Sequence, residues 1–195
     1  MERGSAYHHG NLRETLIEEG IALLAERADG DISLRQLARR VGVTANATYR
    51  HFANKNALLA ALAAEGFRRL QEGQGEAVRG ADPGQGLREA GLAYLRFAWR
   101  HPALFRLMFG PTLNRQGDEE LTRVAAASFR ALRSAVAAAH GLDEEAAGVE
   151  GATLRTWGLV HGLSHLMLDG QFGWRAESPL AVAEQALTDA VDGPL

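Results

Sequence analysis

Cysteine is absent, which removes disulfides, thiol redox chemistry and thiolate metal sites and agrees with a reducing compartment. No apolar run approaches the roughly 18 residues of a membrane span. The N-terminal stretch MERGSAYHHGNLRE has no apolar core of the signal-peptide kind. The expectation is a cytoplasmic protein with no membrane partner. Also missing are a nucleophile elbow, a phosphate-binding glycine loop and convincing paired carboxylates, so no enzyme is signalled. His161 and His165 lie four apart, but no Glu intervenes as in His-Glu-x-x-His and no third ligand follows at a telling spacing. Neither a metal nor a cofactor is therefore expected.

A net charge of −3 argues, as an average, against nucleic acid. The average hides an asymmetry. Between Ser33 and Lys55 the chain carries Arg35, Arg39, Arg40, Arg50 and Lys55 and not one Asp or Glu, so a short segment of an acidic protein is built to meet an anion.

What is present is helical. At 195 residues and 46% hydrophobic the chain can bury a sizeable core. Ala, Leu, Arg and Glu dominate, apolar residues recur three and four apart, and β-branched alternation is nowhere sustained. The pattern predicts an all-α fold of about nine helices. Asn11 with Glu14, and Ser33 with Gln36, are spaced as capping boxes; Thr44 and Asn54 are N-caps. Later helices are expected near 87–100, 102–109, 118–140, 144–169 and 179–191, with Pro102 and Pro179 at first-turn positions. The glycine-rich stretch 73–86 is the expected joint between a head and a body, with the fourth helix ending near Gln71.

Within LRQLARRVGVTANATYRHF the spacing is that of a helix-turn-helix. Ala38 is small where two helices cross, Gly42 can take positive φ, and Leu34, Leu37, Val41 and Val43 anchor both helices. Thr44 opens the reading helix and can present its hydroxyl and the first-turn N–H groups to a phosphate. A helical hairpin with a solvated basic face explains the periodicity equally well but not the exclusion of every carboxylate.

Through SLRQLARRVGV, TANATYRHF and ANKNALLAALAAEGF, and above all the combination of Tyr49, His51, Phe52, Lys55, Leu58 and Leu59, the chain resembles the TetR (tetracycline-repressor) family. The resemblance implies a DNA-binding domain over residues 1–55 and a helical effector-binding and dimerisation domain over 56–195. It implies that Thr44, Tyr49, His51 and Lys55 hold phosphates, that Ala45, Asn46 and Thr48 sit nearest the base edges, and that Phe52 is core. Ser33, Arg35 and Arg50 complete the expected DNA-binding set. Asn46 can pair bidentately with adenine or be a solvated polar residue. Thr48 departs from the family pattern, which more often has an apolar residue or proline there; it reads as a base contact or as a looser helix. Arg3, Tyr7, His8 and His9 form either a minor-groove arm or a frayed end.

In the body, Gly151, Gly158 and Gly162 share a stripe with Ala152, Leu159, Leu163 and Leu166 beside it, suited to close helix packing in a homodimer or within one chain. Trp157, His161 and Gly162 resemble the Trp-x3-His-Gly signature of one body type within the family. With Tyr94, Phe97, Phe105, Met108, Phe109 and Phe129, Trp157 and His161 suit either an apolar small-molecule pocket or a dry core. The function expected is a ligand-responsive repressor that binds a palindromic operator on double-stranded DNA as a homodimer and answers to a small-molecule effector. The alternative is a dimeric small-molecule-binding protein with a lost or altered DNA role.

Overall fold

A computed structural model describes residues 12–27, 31–111, 113 and 117–192. Every regular element among them is a helix, in chain order α1 Leu12–Ala25, α2 Leu34–Val41, α3 Ala45–Tyr49, α4 Lys55–Ala77, α5 Pro83–Arg100, α6 Pro102–Phe109, α7 Glu119–Ala139, α8 Val149–Leu168 and α9 Pro179–Asp192. The all-α, nine-helix expectation describes this fold. No helix among the described residues is long and apolar enough to cross a membrane. Asn11, which was to cap the first helix with Glu14, and the arm residues Arg3, Tyr7, His8 and His9 lie outside the described residues.

Caps set most of the boundaries. Asn54 starts α4 by accepting the Ala57 N–H at 3.0 Å, and Asp82 starts α5 by accepting that of Gln85 at 3.0 Å. Pro83, Pro102 and Pro179 occupy first-turn positions, where a missing N–H costs nothing.

The glycine-rich segment differs from expectation. Helix α4 does not stop near Gln71 but runs through Gly73 and Gly75 to Ala77, and α5 already begins at Pro83. Each mid-helix glycine costs up to about 1 kcal/mol against alanine. Tertiary contacts offset it: Leu70 is buried just before, and Gln74 donates to the Ala90 carbonyl of α5 at 3.2 Å. The joint shrinks to residues 78–82. Helix α8 is shorter than expected, starting at Val149 after turns over 144–148.

One hydrophobic core runs from Leu16 of α1 to Leu187 of α9. At its centre α4 buries Leu58 through Ala64 without a break, as a helix enclosed by others must. It packs on α1 and also on α5, α6 and α7. Gly66 permits the approach of α6, because a Cβ there would lie 2.6 Å from Met108 Sδ. Ion pairs close the seam between α1, α4 and α7: Glu120 accepts from Arg13 at 3.2 Å and from Arg68, and Arg69 reaches Glu18 and, at 3.0 Å, Glu65.

Candidate nucleic-acid interface and body cavity

The turn between α2 and α3 is built from local chemistry. Ser33 Oγ accepts the Gln36 N–H at 3.3 Å while Gln36 Oε1 accepts the Ser33 N–H at 2.9 Å, so the capping box is complete. The Ser33 hydroxyl also points at Gln36 Oε1, at 2.9 Å, which engages it within the cap. Gly42 ends α2 with φ 76°, and the Val43 N–H returns to the Ala38 carbonyl at 2.9 Å. Leu34, Leu37, Ala38 and Phe52 are buried beneath the two helices, while Val41 and Val43 are half-buried.

Thr44 caps α3 by accepting the Ala47 N–H at 3.2 Å, and its hydroxyl proton has no acceptor among the described residues. Asn46, Tyr49, Arg50 and His51 are exposed with it, and Ala45 is half-buried. Tyr49 keeps 46% of its surface accessible, unusual for so large a ring within a packed head. Thr48 requires a correction. It is 0% exposed, turned inward beside Phe52, and cannot reach a base edge from that position. Its Oγ1 is buried without a hydrogen-bond partner among the described residues. An apolar residue is what this inward position favours physically.

The cations divide into two sets. Arg40 hydrogen-bonds Glu19 at 2.6 Å and Glu26 at 2.7 Å on the α1 side, contacts that hold its pKa up and the Glu26 carboxyl below its ordinary value. Lys55 pairs with Asp31, just outside the carboxylate-free segment, a partner that the segment's own composition did not show. Arg35, Arg39 and Arg50 are exposed and have no ion pair among the described residues. Arg35 and Arg39, four apart, share one outer face of α2 next to α3.

In the body, helices α4 to α9 line a cavity of about 350 Å³. Tyr94, Phe109, Phe129 and Trp157, all expected at a pocket, line it. Phe97, Phe105, Met108 and His161 do not. Phe105 and Met108 are 0% exposed in the core behind it, and Phe97 packs against His101 with the rings tilted and their centroids 5.1 Å apart. His161 Nδ1 lies 3.0 Å from the Tyr94 hydroxyl and edge-on to Phe109, at 4.8 Å between centroids, holding both rings in place from behind the wall. Among the described residues no three metal-binding side chains converge, although the His161 and His165 rings are only 4.7 Å apart.

Several lining residues escaped sequence reasoning, among them Phe67 and Gln74 of α4, Ser128 of α7 and Arg155 and Thr156 of α8. The signal for Arg155 was present, since it is a cation two residues before Trp157 on an otherwise largely apolar helix. Because α4 begins at Lys55 in the head and supplies Phe67 and Gln74 to the cavity wall, one rigid element joins the two sites.

Comparison with known proteins agrees with this architecture. The family model described as "Bacterial regulatory proteins, tetR family" matches residues 16–62, and that described as "Tetracyclin repressor-like, C-terminal domain" matches residues 87–190. A protein with unknown function from Rhodococcus sp. RHA1 is 30% identical, with a TM-score of 0.78 over 96% of this chain and 95% of that one. Two more distant structures share the fold. One is the regulator FadR from Bacillus subtilis in complex with stearoyl-CoA, at 15% identity, TM-score 0.70 and coverage of 93% and 99%. The other is a TetR point variant from Acinetobacter baumannii AYE in complex with minocycline, at 22% identity, TM-score 0.63 and coverage of 93% and 94%. No curated protein matches. With one family model over its head and a second over more than half of its length, the chain belongs to the TetR family of bacterial regulatory proteins.

Proposed function

We propose that this protein is a cytoplasmic, ligand-responsive repressor that binds a palindromic operator as a homodimer, with residues 1–55 reading DNA and 56–195 sensing the ligand and dimerising. The observation that carries the reading is the outer face of α2 and α3. There Thr44, Asn46, Tyr49, Arg50 and His51 stand exposed beside Arg35 and Arg39, which have no ion pair among the described residues, while Phe52 and Thr48 are buried behind them. Thr44, Tyr49, His51 and Lys55 act as phosphate grips, Lys55 exchanging Asp31 for DNA; Asn46 reads a base, with Ala45 lying against the groove.

The dimer uses α8 and α9. Leu154, Gly158, Gly162 and Leu166, each four residues from the next, form one exposed stripe, and nothing stands within 4 Å of where a Cβ would be on either glycine. An apolar stripe of this kind with a smooth glycine centre suits the same stripe of a second copy about a two-fold axis. Trp157, His161 and Gly162 assign the body to the Trp-x3-His-Gly type.

The effector enters the cavity and biases α4 through Phe67 and Gln74, which alters the separation of the two heads. The small molecules bound by the two distant relatives agree with this use of the body. The test is a gel shift with DNA flanking the protein's own gene. A specific complex with two protomers per site, lost when Arg35 and Arg39 are both changed to Ala, is the expected outcome. The competing reading, a dimeric small-molecule-binding protein with an altered DNA role, draws on the pairing of Arg40 and Lys55 with carboxylates. Absence of any specific complex at modest salt selects it.

A further inference from the structure

The wall of the body cavity is largely apolar, formed by Phe67, Tyr94, Phe109, Phe129, Trp157 and aliphatic neighbours. Its polar groups are few and lie on facing helices: Gln74 on α4, Ser128 on α7, and Arg155 and Thr156 on α8. Their charge is of one sign. Among the described residues lining the cavity Arg155 is the only charged one, and none of those lining it from α4 to α9 is Asp or Glu. Several arginines that bridge helices in this protein have a carboxylate partner: Arg13, Arg40, Arg68, Arg69, Arg96 and Arg106 all do. Arg155 has none among the described residues, and it stands at the exposed edge of the cavity, where its guanidinium keeps some hydration.

A cation left without a counter-charge among the described residues at the edge of a largely apolar chamber, with the Ser128 and Thr156 side chains lining the same chamber, is arranged for a molecule that brings the missing anion and an apolar body together. We infer that the effector is an amphipathic organic acid, its carboxylate or equivalent anion paired with Arg155 and assisted by the Ser128 and Thr156 hydroxyls, its apolar portion among the aromatic rings. A cation in the same place meets repulsion from Arg155, and a neutral alcohol forgoes the charge-assisted contact. The proposal rests on the reading of the body as an effector site and narrows its ligand class.

The test is calorimetric titration of the full-length protein with two matched sets of probes: octanoate, 1-octanol and octylamine, and 4-phenylbutyrate, 4-phenylbutanol and 4-phenylbutylamine. In at least one set the acid should bind at least tenfold more tightly than its alcohol, with the amine weakest. Arg155→Gln should bring acid and alcohol within about twofold of each other while leaving the alcohol's affinity unchanged. Ser128→Trp, which occupies the chamber, should abolish binding of all probes while the far-ultraviolet helical signal is retained. Equal affinities for acid and alcohol, preference for the amine, or an acid preference that survives Arg155→Gln would each overturn the proposal. Tighter binding of the alcohol or the amine than of the acid, with release of operator DNA, would leave the effector reading standing and remove the acid assignment alone. Binding of no probe at all would count against both.

Discussion

Residue by residue, the reading head is a matter of which side chains are spoken for. The family resemblance singled out Thr44, Asn46, Tyr49 and His51, and all four are exposed. It could not show that Arg40 turns back to Glu19 and Glu26 or that Lys55 meets Asp31, since those partners come from elsewhere in the chain. If Lys55 grips a phosphate as proposed, Asp31 competes with DNA for it. Asp31→Asn should strengthen binding to all DNA sequences by a few-fold in fluorescence anisotropy, and Lys55→Ala should weaken all alike, whereas Asn46→Ala should change sequence preference. Thr48 is the converse case, a polar residue whose hydroxyl is buried without a partner. Thr48→Val keeps its shape and removes the unpaired hydroxyl, so it should stabilise the fold by about 1 kcal/mol, seen as a higher urea midpoint, with DNA affinity unchanged. A loss of sequence specificity in that variant would return Thr48 to the reading surface.

At the scale of elements, caps were legible and extents less so. Ser33, Thr44 and Asn54 signal helix starts through short-range hydrogen bonds that a sequence encodes directly, and Gly42 signals its turn. Gly42→Ala places a side chain at φ 76° and should cost about 1–2 kcal/mol, read as a lower denaturation midpoint. Gly73 and Gly75 misled because helix continuation there depends on Gln74 and Leu70 meeting α5 and the core, contacts invisible to local propensity.

Between α5 and α6, His101 carries a pKa lowered first by burial and then by Arg69 and Arg100. Its neutral form is favoured on folding. The associated stability is therefore present above the ordinary histidine value near 6.5 and is lost as pH falls through the lowered folded value. Chemical denaturation between pH 7.5 and 5 should show a steeper loss for the native protein than for His101→Gln; parallel profiles would remove His101 from the account.

Across the whole molecule, α4 is what makes a DNA head and a body cavity parts of one device. Its enclosure on all sides was readable from the unbroken apolar run Leu58 to Ala64, but its contribution of Phe67 and Gln74 to the cavity was not, because a pocket is defined by six helices at once. The large apolar residues of the body illustrate the same limit. Their composition suited pocket and core equally, and only packing separates Phe109 and Trp157, on the wall, from Phe105 and Met108, behind it. Sedimentation equilibrium should find the native chain dimeric and Gly158→Glu monomeric, since the substitution sets a carboxylate in the centre of the apolar stripe. A variant that stays dimeric would move the interface off α8.

The central claim, that the α2–α3 face of two heads grips a DNA backbone, is tested most directly by the salt dependence of binding to the operator. Arg35, Arg39 and Arg50 of two protomers supply six cations without an ion pair among the described residues. Their release of condensed counterions gives a slope of log K against log salt of about −5, approaching −7 if both Lys55 side chains also leave Asp31. A slope near zero would contradict the account.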